Sequence, residues 1–296
     1  MAKYHPAFLS SKDYLCVLLP PVFWGLSFVA IKVGLESFSP FTLVAIRFLM
    51  AGFPLALFYR RPPVPWPRLV AYSFSIGVLQ YGLMFLAIHY KLPAGLSSVL
   101  IQFQVYITIF LAWFFYRERV TWIQVVGFLV SAVGLIVIGY EYMLGAKFFA
   151  FGLILLSALF WSLGNVLVKS FKIADFAGFI AWTSFISAIP LTLLALAVDG
   201  PQAISSQVSH ASWRSVVALI FMAYLATHLS FTLFSSVMLR FPASKVMPFA
   251  TLVPVYGLSS NAFFMGEWPS GFQLAGSGLV FGGLLVTVLL GRYARR

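Results

Sequence analysis

The sequence predicts an all-α polytopic membrane protein, with ten transmembrane helices arranged as two inverted five-helix repeats around a central cavity. Three observations predict it. Of the 296 residues 61% are hydrophobic and only 9% charged, and mean hydropathy is +0.98; a soluble domain is about half apolar and about a quarter charged. The apolar residues fall in runs close to the roughly 20 residues that a bilayer-spanning helix needs, and ten such runs consume nearly the whole chain. The chain also repeats itself, with an odd number of runs in each half, so the halves insert with opposite orientation.

This composition excludes a soluble enzyme, a disordered chain and a disulfide-rich secreted module. The single cysteine, Cys16, leaves no intrachain disulfide and no Cys-based metal cluster. It lies inside the first apolar run and reads as packing. The net charge of +12 does not indicate a nucleic-acid partner. A basic face needs a water-soluble scaffold to present it, and here Lys and Arg are spread among short loops.

The first helix, 14–33, carries Phe23-Trp24-Gly25-Leu26 and is not a cleavable signal peptide, because it belongs to the repeat. The second, 39–59, ends at Arg60-Arg61-Pro62-Pro63. The third, 69–89, carries Ser73, Gly77, Gln80 and Met84 on one stripe. The fourth, 93–116, opens at Pro93 and aligns Gly95, Ser98, Gln102 and Tyr106. The fifth, 121–140, holds Gly127, Ser131 and Gly134. The sixth, 148–169, repeats Ser157, Trp161, Asn165 and Lys169 at every fourth position. The seventh, 176–198, stops at Asp199-Gly200-Pro201, and a polar loop, 199–212, comes next. The eighth, 213–238, aligns Tyr224, His228, Thr232 and Ser235. The ninth, 243–265, is interrupted by Pro248 and Pro254 and contributes Thr251, with Tyr256 or Asn261. The tenth, 271–291, carries Gly276, Gly278, Gly282 and Gly283, small residues that permit close helix packing. The domains expected are 14–140 and 148–291, in a monomer or weak dimer surrounded by membrane lipid.

Loop charge sets the orientation. With the N-terminus in the cytoplasm, the inner segments hold Lys3, Lys12, Arg60, Arg61, Arg68, Arg117, Arg119, Lys169, Lys172, Arg240, Lys245, Arg292, Arg295 and Arg296. The outer ends hold Lys32, Lys91, Lys147 and Arg214. An even number of spans then places both termini inside.

The repeat is read residue by residue. Phe23-Trp24-Gly25-Leu26 answers Phe160-Trp161-Ser162-Leu163, and Lys32 answers Lys169. Pro54 matches Pro190, and Pro93-Ala94 matches Pro242-Ala243. From there Glu118 falls on Glu267, Gln124 on Gln273, Gly127 on Gly276 and Gly134 on Gly283. Inverted repeats belong to carriers whose halves rock about a site near the midplane.

These residues resemble the drug/metabolite transporter superfamily in its EamA branch. The likeness rests on Phe-Trp-Gly-Leu-Ser-Phe-Val-Ala-Ile-Lys from Phe23, and on Pro-Ala-Gly-Leu-Ser-Ser-Val-Leu-Ile-Gln-Phe-Gln from Pro93. Gly164-Asn165 with Lys169, Leu252-Val253-Pro254-Val255 and the paired Glu motifs complete it. The resemblance implies a ten-helix bundle of two inverted repeats that moves small solutes, commonly out of the bacterial cytoplasm across the inner membrane. Within the branch, the run from Pro93 and that from Leu252 are similar to exporters of the O-acetylserine and cysteine class. One motif departs from the family: relatives usually read Gly-Glu-Arg where this chain reads Gly266-Glu267-Trp268.

Polar side chains at membrane depth face protein or a water-filled cavity. The substrate-contact candidates are therefore Gln102, Asn165, Gln80, His228, Trp24, Trp161, Ser98, Tyr106, Thr251 and Arg47. Gln and Asn amides offer both donors and acceptors to a zwitterion, and they also join membrane helices to one another. Gln104 points about 200° from Gln102 on an ideal helix, so the two do not share a cavity. Trp24 and Trp161 fit repeat packing or a cavity wall equally. Arg47 is the sharpest oddity, since a charge at the bilayer centre costs roughly 2.5–3.5 kcal/mol on insertion scales. It reads as a clamp for a substrate carboxylate, as a bond to helix-end carbonyls or as a snorkelling side chain. Lys32 and Lys169 fit helix-end snorkelling, and Glu118 and Glu267 fit capping or loop closure.

No Asp or Glu lies at mid-span. Proton-driven pumps commonly use one, so exchange, facilitated diffusion or coupling through His228 stays open. The same absence argues against an intramembrane aspartyl protease. Four scattered His provide no zinc cluster, and no cofactor is expected. A secondary carrier exporting small amino-acid-like solutes of the cysteine and O-acetylserine class is the leading expectation; the alternatives are a carrier of the same superfamily for other amino acids or for drug-like or nucleobase-like metabolites, or a channel-like facilitator.

Overall fold

A computed structural model describes residues 10–117, 120–142, 146–171, 173, 175–238, 240–241, 246 and 249–290. Glu118 and Pro248 lie outside the described residues. Helices account for the regular structure, with no strand among the described residues. In order they are α1 (Ser11–Gly34), α2 (Pro40–Ala56), α3 (Trp66–His89), α4 (Ala94–Tyr116), α5 (Trp122–Tyr140) and α6 (Ala146–Lys169). They continue as α7 (Phe176–Val198), α8 (Pro201–Ser209), α9 (Trp213–Met238), α10 (Val253–Met265) and α11 (Gly271–Leu285).

Among the described residues, eight helices are long and apolar enough to cross a membrane, and α2 is a shorter apolar helix. One expectation needs correcting. The polar stretch 199–212 contains the helix α8, started by Gly200 at φ +79° with Pro201 in its first turn. Only Gly adopts that backbone freely, and Pro in the first turn costs no hydrogen bond. The expected break in the ninth helix is seen beside Pro254: helical residues 249–250 are followed by a turn and a new helix. Pro254 sits in the first turn of α10, after the turn at Thr251 and Leu252.

Local chemistry sets the helix starts. Ser39, Thr121, Asp175, Ser212 and Ser270 each accept a hydrogen bond from the amide three residues on. The pairs Thr121/Gln124 and Ser270/Gln273 form full capping boxes at repeat-equivalent places.

The helix ends meet in two groups. At one end Lys32 Nζ lies 2.6 Å from Glu267 Oε1, and the Ala94 amide donates to Glu267 Oε2 at 3.1 Å. Glu267 thus ties the end of α1 to the start of α4. Thr42 and Ser39 donate to Asp199, and Ser270 donates to Glu141 at 2.5 Å. Tyr142, which accepts from Gln273 Nε2 at 3.1 Å, has its hydroxyl pushed up to about 12, first by burial and then by Glu141 and Glu267. At the other end Arg240 pairs with Asp13 at 2.6 Å, and Trp182 Nε1 donates to the Tyr59 carbonyl at 3.0 Å. Successive helices therefore run in opposite directions.

Glycines permit the closest crossing. A Cβ on Gly134 would lie 2.5 Å from the Gly276 carbonyl oxygen and 2.9 Å from the Val280 amide. A Cβ on Gly127 would lie 2.6 Å from the Gly283 carbonyl oxygen. So α5 and α11 touch backbone to backbone through glycines that correspond between the halves. The outward side is apolar, with Phe58, Phe263 and Trp268 among the exposed rings. That face suits lipid and would be an aggregation liability in water.

Candidate substrate site

Arg47 is a fully buried cation. It lies seven residues into α2, about 10 Å from the helix start at 1.5 Å per residue. The side chain is 2% exposed, so it does not snorkel. Its Nη2 donates to Thr227 Oγ1 at 3.2 Å, while Nε and Nη1 are buried with no acceptor. The guanidinium lies over Tyr81, with Phe48 and Phe85 at 5.8 and 5.9 Å from their ring centroids.

Two distorted helices bring these groups together. In α3 the segment Phe74–Gln80 is π-helical, and in α9 the segment Phe221–Leu229 is as well. Thr227 Oγ1 donates to the Met222 carbonyl five residues back, at 2.8 Å. The wider turn rotates the helix beyond Met222, which brings Thr227 toward α2. Such π-turns are frequent at functional sites. His228, next in the chain, donates from its ring to the Ala51 carbonyl of α2.

Tyr81 and Thr227 line a small cavity of about 30 Å³ with Phe48, Tyr72, Gly77, Thr183, Ser184, Ser187 and Phe231. A second crevice, of about 690 Å³, lies between α3, the end of α4 and α6. It is lined by Phe74, Phe115, Tyr116, Phe160 and Leu163, with Arg68 at its rim.

Of the sequence candidates, Gln80 and His228 are chain neighbours of Tyr81 and Thr227, which contact Arg47, and none of the three candidates is among the residues lining the small cavity. Gln80 is 1% exposed, with its amide nitrogen 3.8 Å from Met84 Sδ, and its backbone carbonyl accepts from Ser157 at 2.7 Å. Gln102 is buried in a 3₁₀ turn, Ile101–Phe103, of α4. Asn165 Nδ2 donates to Gln104 Oε1 at 2.7 Å and to Thr108 at 3.2 Å, joining α6 to α4. Tyr106 turns to α5, with its hydroxyl 2.7 Å from Ser131 Oγ and 3.1 Å from the Gly127 carbonyl. Ser98 donates to the Gly95 carbonyl at 2.5 Å and sits against Gly257 of α10. Trp24 Nε1 donates to the Ala226 carbonyl at 2.9 Å and its ring packs on Phe231 and Phe234. Trp161 is partly buried against the main apolar core, and Thr251 is buried in the turn before α10.

Sequence patterning does not pick out Tyr81 or Thr227. Each adjoins a candidate residue, and the displacement by one position is what a π-turn introduces. An aromatic next to Gln80 gives no polar signal to search for.

The model of the EamA-like transporter family matches residues 11–140 and again residues 148–289. The chain belongs to the EamA-like transporter family. It is a transporter and not an enzyme. A Salmonella typhimurium protein named a probable amino-acid metabolite efflux pump is 34% identical over 95% of this chain and 96% of its own. An Escherichia coli protein with the same name is 32% identical over the same shares, 95% and 96%. A probable terminal-alkyne amino-acid exporter of Streptantibioticus cattleyicolor is 23% identical over 93% of each chain. One solved crystal structure superposes with a TM-score of 0.63 at 19% identity, over 97% of this chain and 100% of its own. That likeness concerns the fold alone.

Proposed function

We propose that this transporter exports small amino-acid-like metabolites, of the cysteine and O-acetylserine class, across a bacterial inner membrane by alternating access. The observation that carries the reading is near-full-length similarity, at 34% and 32% identity, to two relatives named as probable amino-acid metabolite efflux pumps. The site chemistry supports it. A buried guanidinium beside a cavity with several hydroxyls and aromatic walls suits a small carboxylate-bearing solute.

The architecture proposed is a ten-helix bundle of two inverted repeats with both termini cytoplasmic. Two matches of one family model and the reciprocal glycine contacts of α5 and α11 support the repeat. The absence of a mid-span carboxylate supports exchange or facilitated diffusion over proton coupling.

The test is counterflow in proteoliposomes preloaded with unlabelled cysteine or O-acetylserine, at equal pH on both sides. Saturable accumulation of the labelled solute supports the reading, and a pH gradient then tests coupling. Its absence with folded protein moves the substrate to other amino acids.

A further inference from the structure

A buried cation is stable only when paired, because an uncompensated charge in a low-dielectric interior costs several kcal/mol. Arg47 has five N–H donors, and one partner, Thr227, takes Nη2. Nε and Nη1 have none. The acidic residues that could help are committed elsewhere: Asp13 to Arg240, Asp199 to Ser39 and Thr42, and Glu267 to Lys32. Glu141 takes Ser270 and Gln273, Asp175 caps α7, and Glu36 is exposed beyond the end of α1. Among the described residues, then, nothing supplies the anion that Arg47 needs. The cavity's lining includes Tyr81 and Thr227, which contact the guanidinium, but not Arg47 itself, so cargo reaches the cation only where these two side chains give way.

We infer that Arg47 binds the cargo's own carboxylate, and that this carboxylate, not the ammonium group, is what the site recognises. The inference rests on the exporter reading. A guanidinium fork matches a planar carboxylate with two parallel hydrogen bonds. One buried cation balances one negative charge, so phosphate monoesters, with charge near −2, are poor cargo. No acidic side chain among the cavity's lining residues holds an ammonium, so that group is held by hydroxyls and carbonyls and can be acylated. The cargo class is therefore monoanionic at its head: amino acids and their N-acyl derivatives, but not amino-acid amides, esters or purely cationic solutes.

The experiment uses the full chain with three stable probes: S-methylcysteine, its N-acetyl derivative and its carboxamide. Each competes with labelled O-acetylserine in counterflow, and each is also tested for raising the thermal unfolding midpoint in detergent. The expected result is that the two acids compete comparably and the carboxamide about tenfold or more weakly, as loss of a charged hydrogen bond implies. In Arg47→Gln, which removes the buried charge and favours folding, the gap between acid and amide disappears; Arg47→Lys keeps part of it. An amide that competes as well as the acid in the parent, or an unchanged gap in Arg47→Gln, overturns the inference and leaves the exporter reading standing. Acids that stabilise the parent but not Arg47→Gln, with no counterflow of any probe, uphold the inference and sink the exporter reading. Stabilisation of neither protein, with no competition, overturns the inference.

Discussion

The guanidinium carbon of Arg47 lies 4.2 Å from the centroid of the Tyr81 ring, the shortest approach it makes to its three aromatic neighbours. A desolvated cation over an aromatic face gains about 2 kcal/mol. Tyr81→Phe keeps that face, and Tyr81→Leu removes it. We expect Tyr81→Phe to unfold at nearly the parental denaturant concentration and Tyr81→Leu to lose about 2 kcal/mol. Equal losses in the two variants would assign the effect to the phenol hydroxyl instead.

The α5–α11 crossing is the packing feature least able to accept a side chain. Gly134→Val pushes a branched side chain into the backbone of Gly276 and Val280, and overpacking costs about 1–3 kcal/mol or more. Gly278 has nothing within 4 Å of its Cβ position. Gly278→Ala is therefore expected to stay within about 0.5 kcal/mol of the parent. Size-exclusion profiles and thermal midpoints separate the two. A well-behaved Gly134→Val would mean that α5 and α11 do not meet there.

Asn165 and Gln104 form one amide pair between α6 and α4, at 2.7 Å. Removing either takes from the other its shorter hydrogen bond and leaves it Thr108 alone, so the two losses should not add. A double-mutant cycle of Asn165→Ala and Gln104→Ala is expected to show coupling of about 1 kcal/mol. Gln102→Ala, outside that pair, should keep the parental midpoint and lower counterflow severalfold. Additive losses at Asn165 and Gln104 would detach the pair.

Much of this is legible in the sequence. Apolar run length gives the all-helical membrane architecture, with eight span-length helices among the described residues, because the bilayer fixes that length. The glycine contacts agree with Gly127, Gly134, Gly276 and Gly283 recurring in both halves, and the capping boxes with the pairs Thr121/Gln124 and Ser270/Gln273. Arg47 stands out because a mid-span charge is costly. The helical stripes are less informative. They align Tyr106 and Ser98 with Gln102, yet Tyr106 turns to α5 and Ser98 packs on α10, since polar groups serve helix contacts as readily as cavities. Thr227 and Tyr81 are hidden because a period of 3.6 residues fails across a π-turn. The helix in 199–212 is hidden because its polar, Ser-rich composition reads as a loop.

Glu267 performs two separable tasks, and their difference can be measured. Its Oε1 pairs with Lys32, whose side chain is 32% exposed, and its Oε2 accepts the Ala94 amide at the start of α4. A half-exposed ion pair contributes at most about 1 kcal/mol, and a capping acceptor contributes about 1 kcal/mol. Glu267→Gln removes the charge but keeps an oxygen for Ala94, so its loss should equal that of Lys32→Gln. Glu267→Ala removes both and should lose roughly 2 kcal/mol. Salt separates the tasks, because at 1 M the Debye length falls to about 3 Å. The cost of Lys32→Gln should then shrink, while the gap between Glu267→Gln and Glu267→Ala persists, since it rests on a short hydrogen bond to a backbone amide. A gap that vanished with salt would make Glu267 an ion-pair partner alone and leave the start of α4 without its cap.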